Sequence, residues 1–185
     1  MSISPRTLIL GGARSGKSTL AERLLADRAE VVYVATGGTR EGDAEWAQRV
    51  ALHRERRPAG WRTVETCDLE PLLRDPADAA PLLVDCLALW LTHVMDTCGA
   101  WDDQVWSDGG ERAVQARVAS LAAAWQETTR TVVAVTNEVG MGVVPATAAG
   151  RRFRDELGRL NMALAEASET VLLVVAGQVV PIRNG

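Results

Sequence analysis

The chain reads as an α/β protein with a mostly parallel sheet covered by helices on both faces. Three observations lead there. Apolar runs alternate along the chain with helical patterns. The runs are almost continuously apolar, as strands buried on both faces must be. The first run enters a glycine-rich turn that opens directly into a helical pattern, the order strand, phosphate-binding loop, helix.

Five strands follow from the apolar runs: "TLIL" (7–10), "VVYVAT" (31–36), "PLLVDC" (81–86), "TVVAVT" (131–136) and "TVLLVVAG" (170–177). Helices fall between them. "STLAERLLADR" (18–28) sets Leu20 and Leu24 four apart. Val114, Val118, Leu121 and Trp125 keep one helical face, as do Phe153, Leu157, Leu160 and Leu164. The segment 43–57 reads as a further helix, with Asp43 as N-cap and Pro58 as its stop. "LWLTHVM" is an apolar helical stretch, and its His93 reads as core or near-core. Segments 37–43, 97–111 and 137–147 read as loops, and 75–81 as a connector.

The totals bound the rest. At 185 residues and 47% hydrophobic composition, residues 1–185 are expected to form one domain with a full core. A net charge of −4 and a pI near 5.3 argue against nucleic acid or an anionic membrane as partner. No apolar run approaches the roughly 20 residues of a membrane span, and the N-terminal stretch lacks the pattern of a signal peptide. Three cysteines without a CxxC pair suit reduced thiols and a cytoplasmic protein.

"GGARSGKS" (11–18) matches G-x-x-x-x-G-K-[ST] between a predicted strand and a predicted helix. Its backbone N–H groups and the helix N-terminus suit a polyphosphate. Lys17 can reach the β- and γ-phosphates, and Ser18 can ligate Mg²⁺. Lys17 is also the only lysine among 20 basic residues, so a compact ammonium is kept where a planar guanidinium would not serve. Asp85, closing an apolar run, suits the second metal-binding carboxylate of such a site, against the reading of an ordinary strand end. The guanine-reading N-K-x-D motif of GTPases cannot occur, because no lysine remains.

The densest basic cluster, "RVALHRERRP" (49–58), contains His53, one of two histidines. Trp46, Val50 and His53 share a helical face, with Arg49 and Arg57 each four residues from His53. One reading is a half-buried structural histidine on a solvated, arginine-rich helix. The other is a nucleophile. Nearby cations disfavour imidazolium, and the same arginines could hold a polyphosphate and stabilise a leaving pyrophosphate. Glu138 in "TNEVG" is a candidate general base near the sheet edge where ligands bind, against a loop carboxylate that holds an arginine.

The motifs "GGARSGKS", "YVAT", "HRERRPAGWRTVE", "LLVDCLALWLT" and "VTNEVGMGVVP", followed by "GRRFRDELGRLN", cover nearly the whole chain. Through them the sequence resembles the bifunctional adenosylcobinamide kinase / adenosylcobinamide-phosphate guanylyltransferase family of cobalamin biosynthesis. The resemblance implies a RecA-like P-loop fold, a homotrimer and two reactions. ATP or GTP phosphorylates the adenosylcobinamide hydroxyl. A histidine then takes GMP from GTP and passes it to adenosylcobinamide phosphate, giving adenosylcobinamide-GDP.

By position, the family's nucleophile is His53. Its nucleotide contacts fall on Gly11, Gly12, Ala13, Arg14, Ser15, Gly16, Lys17 and Ser18, on Ala35, Thr36 and Gly37, on Arg54, Glu55, Arg56 and Arg57, and on Glu65 and Asp85. Some members carry glutamate at the position of Asp85. Two further hypotheses stand beside this one: a P-loop kinase without a covalent step, and a non-enzymatic nucleotide switch.

Overall fold

The computed structural model describes residues 4–38 and 58–184. The predicted helix at 43–57, with His53, Arg54, Glu55, Arg56 and Arg57, lies outside the described residues, as does most of the predicted loop at 37–43.

Seven strands form one sheet in the order β3-β2-β4-β5-β1-β6-β7. They are β1 (Arg6–Gly11), β2 (Val31–Ala35), β3 (Trp61–Glu65), β4 (Leu82–Asp85), β5 (Val132–Asn137), β6 (Thr170–Val175) and β7 (Gln178–Arg183). Every adjacent pair is parallel except β6–β7. The described helices are α1 (Lys17–Leu24), α2 (Leu69–Arg74), α3 (Leu87–Thr97), α4 (Glu111–Glu127) and α5 (Ala148–Glu166). The chain therefore has the expected α/β architecture, with its continuously apolar strands at the centre.

The strands that sequence alone did not mark are β3 and β7, the two edges. "WRTVE" buries Trp61 and leaves Arg62, Thr63 and Glu65 exposed, so it has no apolar run to announce it. "QVVPIR" is exposed throughout and contains Pro181, which an edge strand tolerates because it need not donate on its outer side. The central strands β1, β2, β4 and β5 are buried almost residue by residue. That is the burial expected of a sheet covered on both faces.

Helix α1 packs on β1, β4 and β5, while α4 packs on α2, α3 and α5. Trp90 of α3 and Trp125 of α4 are fully buried, and each indole N–H is satisfied, by Cys67 O at 3.0 Å and Ser168 Oγ at 3.0 Å. A buried tryptophan supplies large apolar area only if that donor is paired. Thr147 caps α5 by accepting from the Gly150 N–H at 3.1 Å.

Two expectations need correction. His93 is exposed rather than core: Leu87, Ala88, Trp90, Leu91, Val94 and Met95 form the buried face of α3, and His93 falls on the other. The predicted loop 97–111 is partly helical, with a helical turn at Asp103–Val105 and a π-helical segment at Trp106–Gly110. Its glycines and acidic residues hid this from a reading by apolar period. Arg152 of α5 holds the segment in place. It donates to Ala100 O at 3.1 Å, pairs with Asp103, and stacks 5.2 Å from the Trp106 ring centre.

Candidate nucleotide site

Parallel register brings the predicted residues to one edge of the sheet. Gly11 is level with Asn137, Ala35 with both Glu65 and Asp85, and Asp85 with Val135. The C-terminal ends of β1 to β5 thus line up Gly11, Ala35, Glu65, Asp85 and Asn137. Ligands of open α/β sheets bind at this edge.

The loop Gly11–Ser18 turns tightly between β1 and α1. Gly16 sits at φ 98° and Arg14 at φ 58°, both in the left-handed region. Gly11 is needed for close approach, since a Cβ there would meet Ser15 Oγ at 2.5 Å and Val174 O at 2.7 Å. The Ser15 N–H donates to Gly12 O at 3.3 Å, and Ser15 O accepts from Gly177 N–H at 2.9 Å, tying the loop to the β6–β7 turn. No side chain caps α1 at Gly16, so the first-turn N–H groups are presented to the loop's concave side. Lys17 is buried, with Nζ donating to Gly12 O at 3.1 Å. Its charge therefore sits against the loop that would wrap a phosphate. Gly12, Ala13 and Arg14 are exposed at the rim, and Ser18 is half-buried at the start of α1.

Asp85 stands at the end of β4, where its Oδ2 accepts from Tyr33 OH at 2.7 Å. Tyr33 thereby orients the carboxylate through Oδ2. Ser18 and Asp85 carry hard oxygen donors of the kind that could hold Mg²⁺. Among the described residues no cluster of three or more His, Cys, Asp or Glu could hold a metal alone. A Mg²⁺ bound together with nucleotide is the arrangement that fits this donor set. Beside Asp85, burial pushes the Cys86 thiol up to about 11, and the Asp85 charge adds to it. Cys86 is therefore a neutral packing residue at neutral pH.

Of the other predicted contacts, Thr36 is committed to structure. It is buried, its Oγ1 donates to Cys86 O at 2.7 Å, and its carbonyl accepts from Cys67 Sγ at 3.3 Å. Ala35, Thr36, Gly37 and Glu65 line a cavity of about 570 Å³ between β2, β3 and α3. Asp68, Thr92, His93 and Asp96 share that cavity, and the sequence reading assigned none of them to a site. The signal that could have found them is the helical spacing of Leu89, Thr92, His93 and Asp96, one face of α3.

Glu138 lies next to the phosphate loop, with its N–H donating to Gly11 O at 3.2 Å. Its carboxylate accepts from the Gly140 N–H at 2.6 Å. Asn161 of α5 fixes this end of β5, donating to Asn137 O at 3.0 Å and accepting from Thr136 Oγ1 at 2.7 Å.

The model of the cobinamide kinase / cobinamide phosphate guanyltransferase family matches residues 7–182. The chain belongs to this family. Family relatives run the full length. The bifunctional adenosylcobalamin biosynthesis protein CobP of Pseudomonas aeruginosa is 45% identical, covering 97% of this chain and 98% of the relative. The protein CobU of Escherichia coli is 43% identical over 95% of this chain and 98% of the relative, and CobU of Salmonella typhimurium 42% over the same shares.

Among solved structures, a prototypical ATPase from the type III secretion system of pathogenic bacteria matches with a TM-score of 0.56. It is 15% identical, with 94% of this chain and 51% of that chain covered. A Pyrococcus horikoshii protein matches with a TM-score of 0.51 at 9% identity, covering 100% of this chain and 88% of that one. At such identities these likenesses concern fold alone, and they agree with a P-loop α/β architecture. Among the described residues no helix of this family member is long and apolar enough to cross a membrane.

Proposed function

We propose that the chain is a bifunctional adenosylcobinamide kinase and adenosylcobinamide-phosphate guanylyltransferase, carrying both reactions in one domain. The observation that carries this reading is the phosphate loop itself, with the chain's sole lysine buried against it in a member of this family.

In the first reaction the corrinoid hydroxyl attacks the γ-phosphorus of ATP or GTP, the bond to the β–γ bridging oxygen breaks to release the nucleoside diphosphate, and the hydroxyl proton is lost. The loop N–H groups, the α1 N-terminus and Lys17 hold the phosphates and offset the charge that spreads over their oxygens. Ser18 and Asp85 would hold Mg²⁺, which adds charge stabilisation when bound. In the second reaction neutral His53 attacks the α-phosphorus of GTP, and the P–O bond to pyrophosphate breaks. The phosphate of adenosylcobinamide phosphate then displaces His53 and takes GMP. Arg54, Arg56 and Arg57 serve this step twice, by disfavouring imidazolium and by gripping the leaving pyrophosphate. Glu55 and Glu65 complete the nucleotide contacts.

We further propose a homotrimer working in the cytoplasm on small molecules, without nucleic acid. Unpaired Cys67, Cys86 and Cys98 support a reducing compartment. The exposed apolar edge at Val179, Val180 and Ile182 supports self-association.

The test is product analysis with adenosylcobinamide, ATP and GTP. The wild type is expected to yield the phosphate and then the GDP derivative. Lys17→Ala is expected to lose the first product, and His53→Ala only the second. A wild type that phosphorylates but never guanylylates would leave a kinase alone.

A further inference from the structure

The segment that follows β5 leaves the sheet beside the phosphate loop. In the strand order β5 stands between β4, which ends at Asp85, and β1, which runs into that loop. Glu138 opens the segment with its N–H on Gly11 O at 3.2 Å. The segment then climbs past the sheet. Asn161 of α5 is level with the end of β5, since it donates to Asn137 O at 3.0 Å. Measured along the helix, Ala148 at its start lies about 20 Å further on. Residues 138–147 cover that rise, so they form a wall at the mouth of the phosphate site.

Both ends of this wall are held. Val139 packs on the core, and Glu138 accepts from the Gly140 N–H at 2.6 Å. At the far end Arg151 donates to Pro145 O at 3.0 Å and to Ala146 O at 2.7 Å, and Thr147 caps α5. Between the anchors the composition is unusual for an exposed loop. Met141 is 80% exposed, Val143 95% and Val144 59%. Scattered exposed apolar residues are ordinary, but these three fall within four positions and form a patch. Among the described residues no backbone hydrogen bond engages Met141 to Val144. The segment therefore offers apolar side chains and open peptide N–H and C=O groups together.

A ligand matching this surface is broad and apolar, with a rim of amides. A corrinoid has that chemistry, with methyl groups around its macrocycle and amide arms, one of which ends in the hydroxyl that accepts phosphate. We infer that Met141, Val143 and Val144 form the platform on which the corrin ring of adenosylcobinamide rests, its amide arms pairing with the backbone of 141–144. The hydroxyl arm then reaches down past Glu138 to the phosphate loop. A second copy of the chain seated on the patch would close the mouth through which that hydroxyl has to enter. The inference rests on the proposed kinase reaction, since it concerns how the acceptor of that step is held.

The test compares wild type with Val143→Leu and with the double variant Met141→Ser, Val143→Ser. Because these side chains are exposed, the substitutions leave the fold intact. Adenosylcobinamide binding is measured by equilibrium dialysis, read from the corrinoid's own colour. Its KM and kcat in phosphorylation are measured at saturating ATP, and assembly by sedimentation velocity. The double variant is expected to weaken corrinoid binding and raise its KM about tenfold or more, the range for losing buried apolar side chains. Its ATP affinity, kcat and assembly state should stay close to wild type. Val143→Leu keeps the apolar contact and should bind the corrinoid nearly as wild type does.

Corrinoid affinity that is unchanged in the double variant overturns the inference. So does a double variant that falls apart into smaller species, which would make the patch a contact between copies. A wild type that binds no corrinoid overturns it as well. A wild type that binds the corrinoid without phosphorylating it defeats the kinase reading, and loss of that binding in the double variant would still support the platform.

Discussion

Gly177 donates its backbone N–H to the carbonyl of Ser15 at 2.9 Å, so the turn between β6 and β7 braces the middle of the phosphate loop. Gly177 holds φ 75°, a conformation that alanine adopts only with strain. No atom stands within 4 Å of the Cβ it lacks. Gly177→Ala is therefore expected to cost about 1 kcal/mol from backbone strain alone, a fall of about 2–4 °C in Tm for a chain of this size, with nucleotide affinity nearly kept. Gly177→Pro removes the donor and cannot hold the φ, so it should weaken nucleotide binding as well. Thermal melts and nucleotide titrations on both variants separate the two effects; equal affinity in the proline variant would dismiss the brace.

At Gly11 the constraint is contact. The missing Cβ would sit 2.7 Å from Val174 O, a backbone atom that cannot swing away. Gly11→Ala should push the loop off β6 and lower nucleotide affinity at least tenfold, with the sheet still folded by circular dichroism. Full affinity in that variant would show that the loop has more slack than its packing implies.

Tyr33 and Asp85 give a third prediction. Tyr33→Phe removes a 2.7 Å hydrogen bond that orients the carboxylate. It should raise the Mg²⁺ concentration needed for half-maximal kinase rate, while Asp85→Asn should raise it further and lower kcat. If neither variant changes the metal dependence, Asp85 is only a strand-end residue.

Glu156 of α5 is fully buried, its Oε1 paired with Arg159 and its Oε2 without a partner among the described residues. Burial raises its pKa, against the opposing pull of Arg159. A carboxyl whose folded pKa is raised favours the folded state when protonated, so its cost appears as pH rises through the folded pKa and is absent below the unfolded one. Glu156→Gln should therefore stabilise the fold at pH 7 by an amount on the order of 1 kcal/mol, read as a rise in Tm. The gain should shrink as pH falls toward the ordinary carboxylate range. A gain independent of pH would assign the effect to packing.

The central strands and the phosphate loop were legible because burial on both faces writes an unbroken apolar run, and a loop that wraps phosphate must spend its glycines at fixed spacing. The edges were not. Strand β3 shows one buried side chain, Trp61, and β7 none, so neither leaves a pattern. His93 was misplaced because α3 is so apolar that its narrow polar face does not interrupt the run; only the structure shows Thr92, His93 and Asp96 turned together toward the cavity. The π-helical segment is invisible to any reading by period, since glycine and aspartate mark loops and helix starts alike. Asp85 was placed at its strand end correctly, but nothing local announces Tyr33, 52 residues away, as its partner.

His53 is the proposed carrier of GMP, the step on which guanylyltransfer depends. Mass spectrometry of the protein after incubation with GTP and Mg²⁺ tests this most directly. The expected result is a GMP adduct on the His53 peptide, labile to acid, stable to alkali and absent from His53→Ala. An adduct on another residue, or none in a wild type that still makes adenosylcobinamide-GDP, would contradict it.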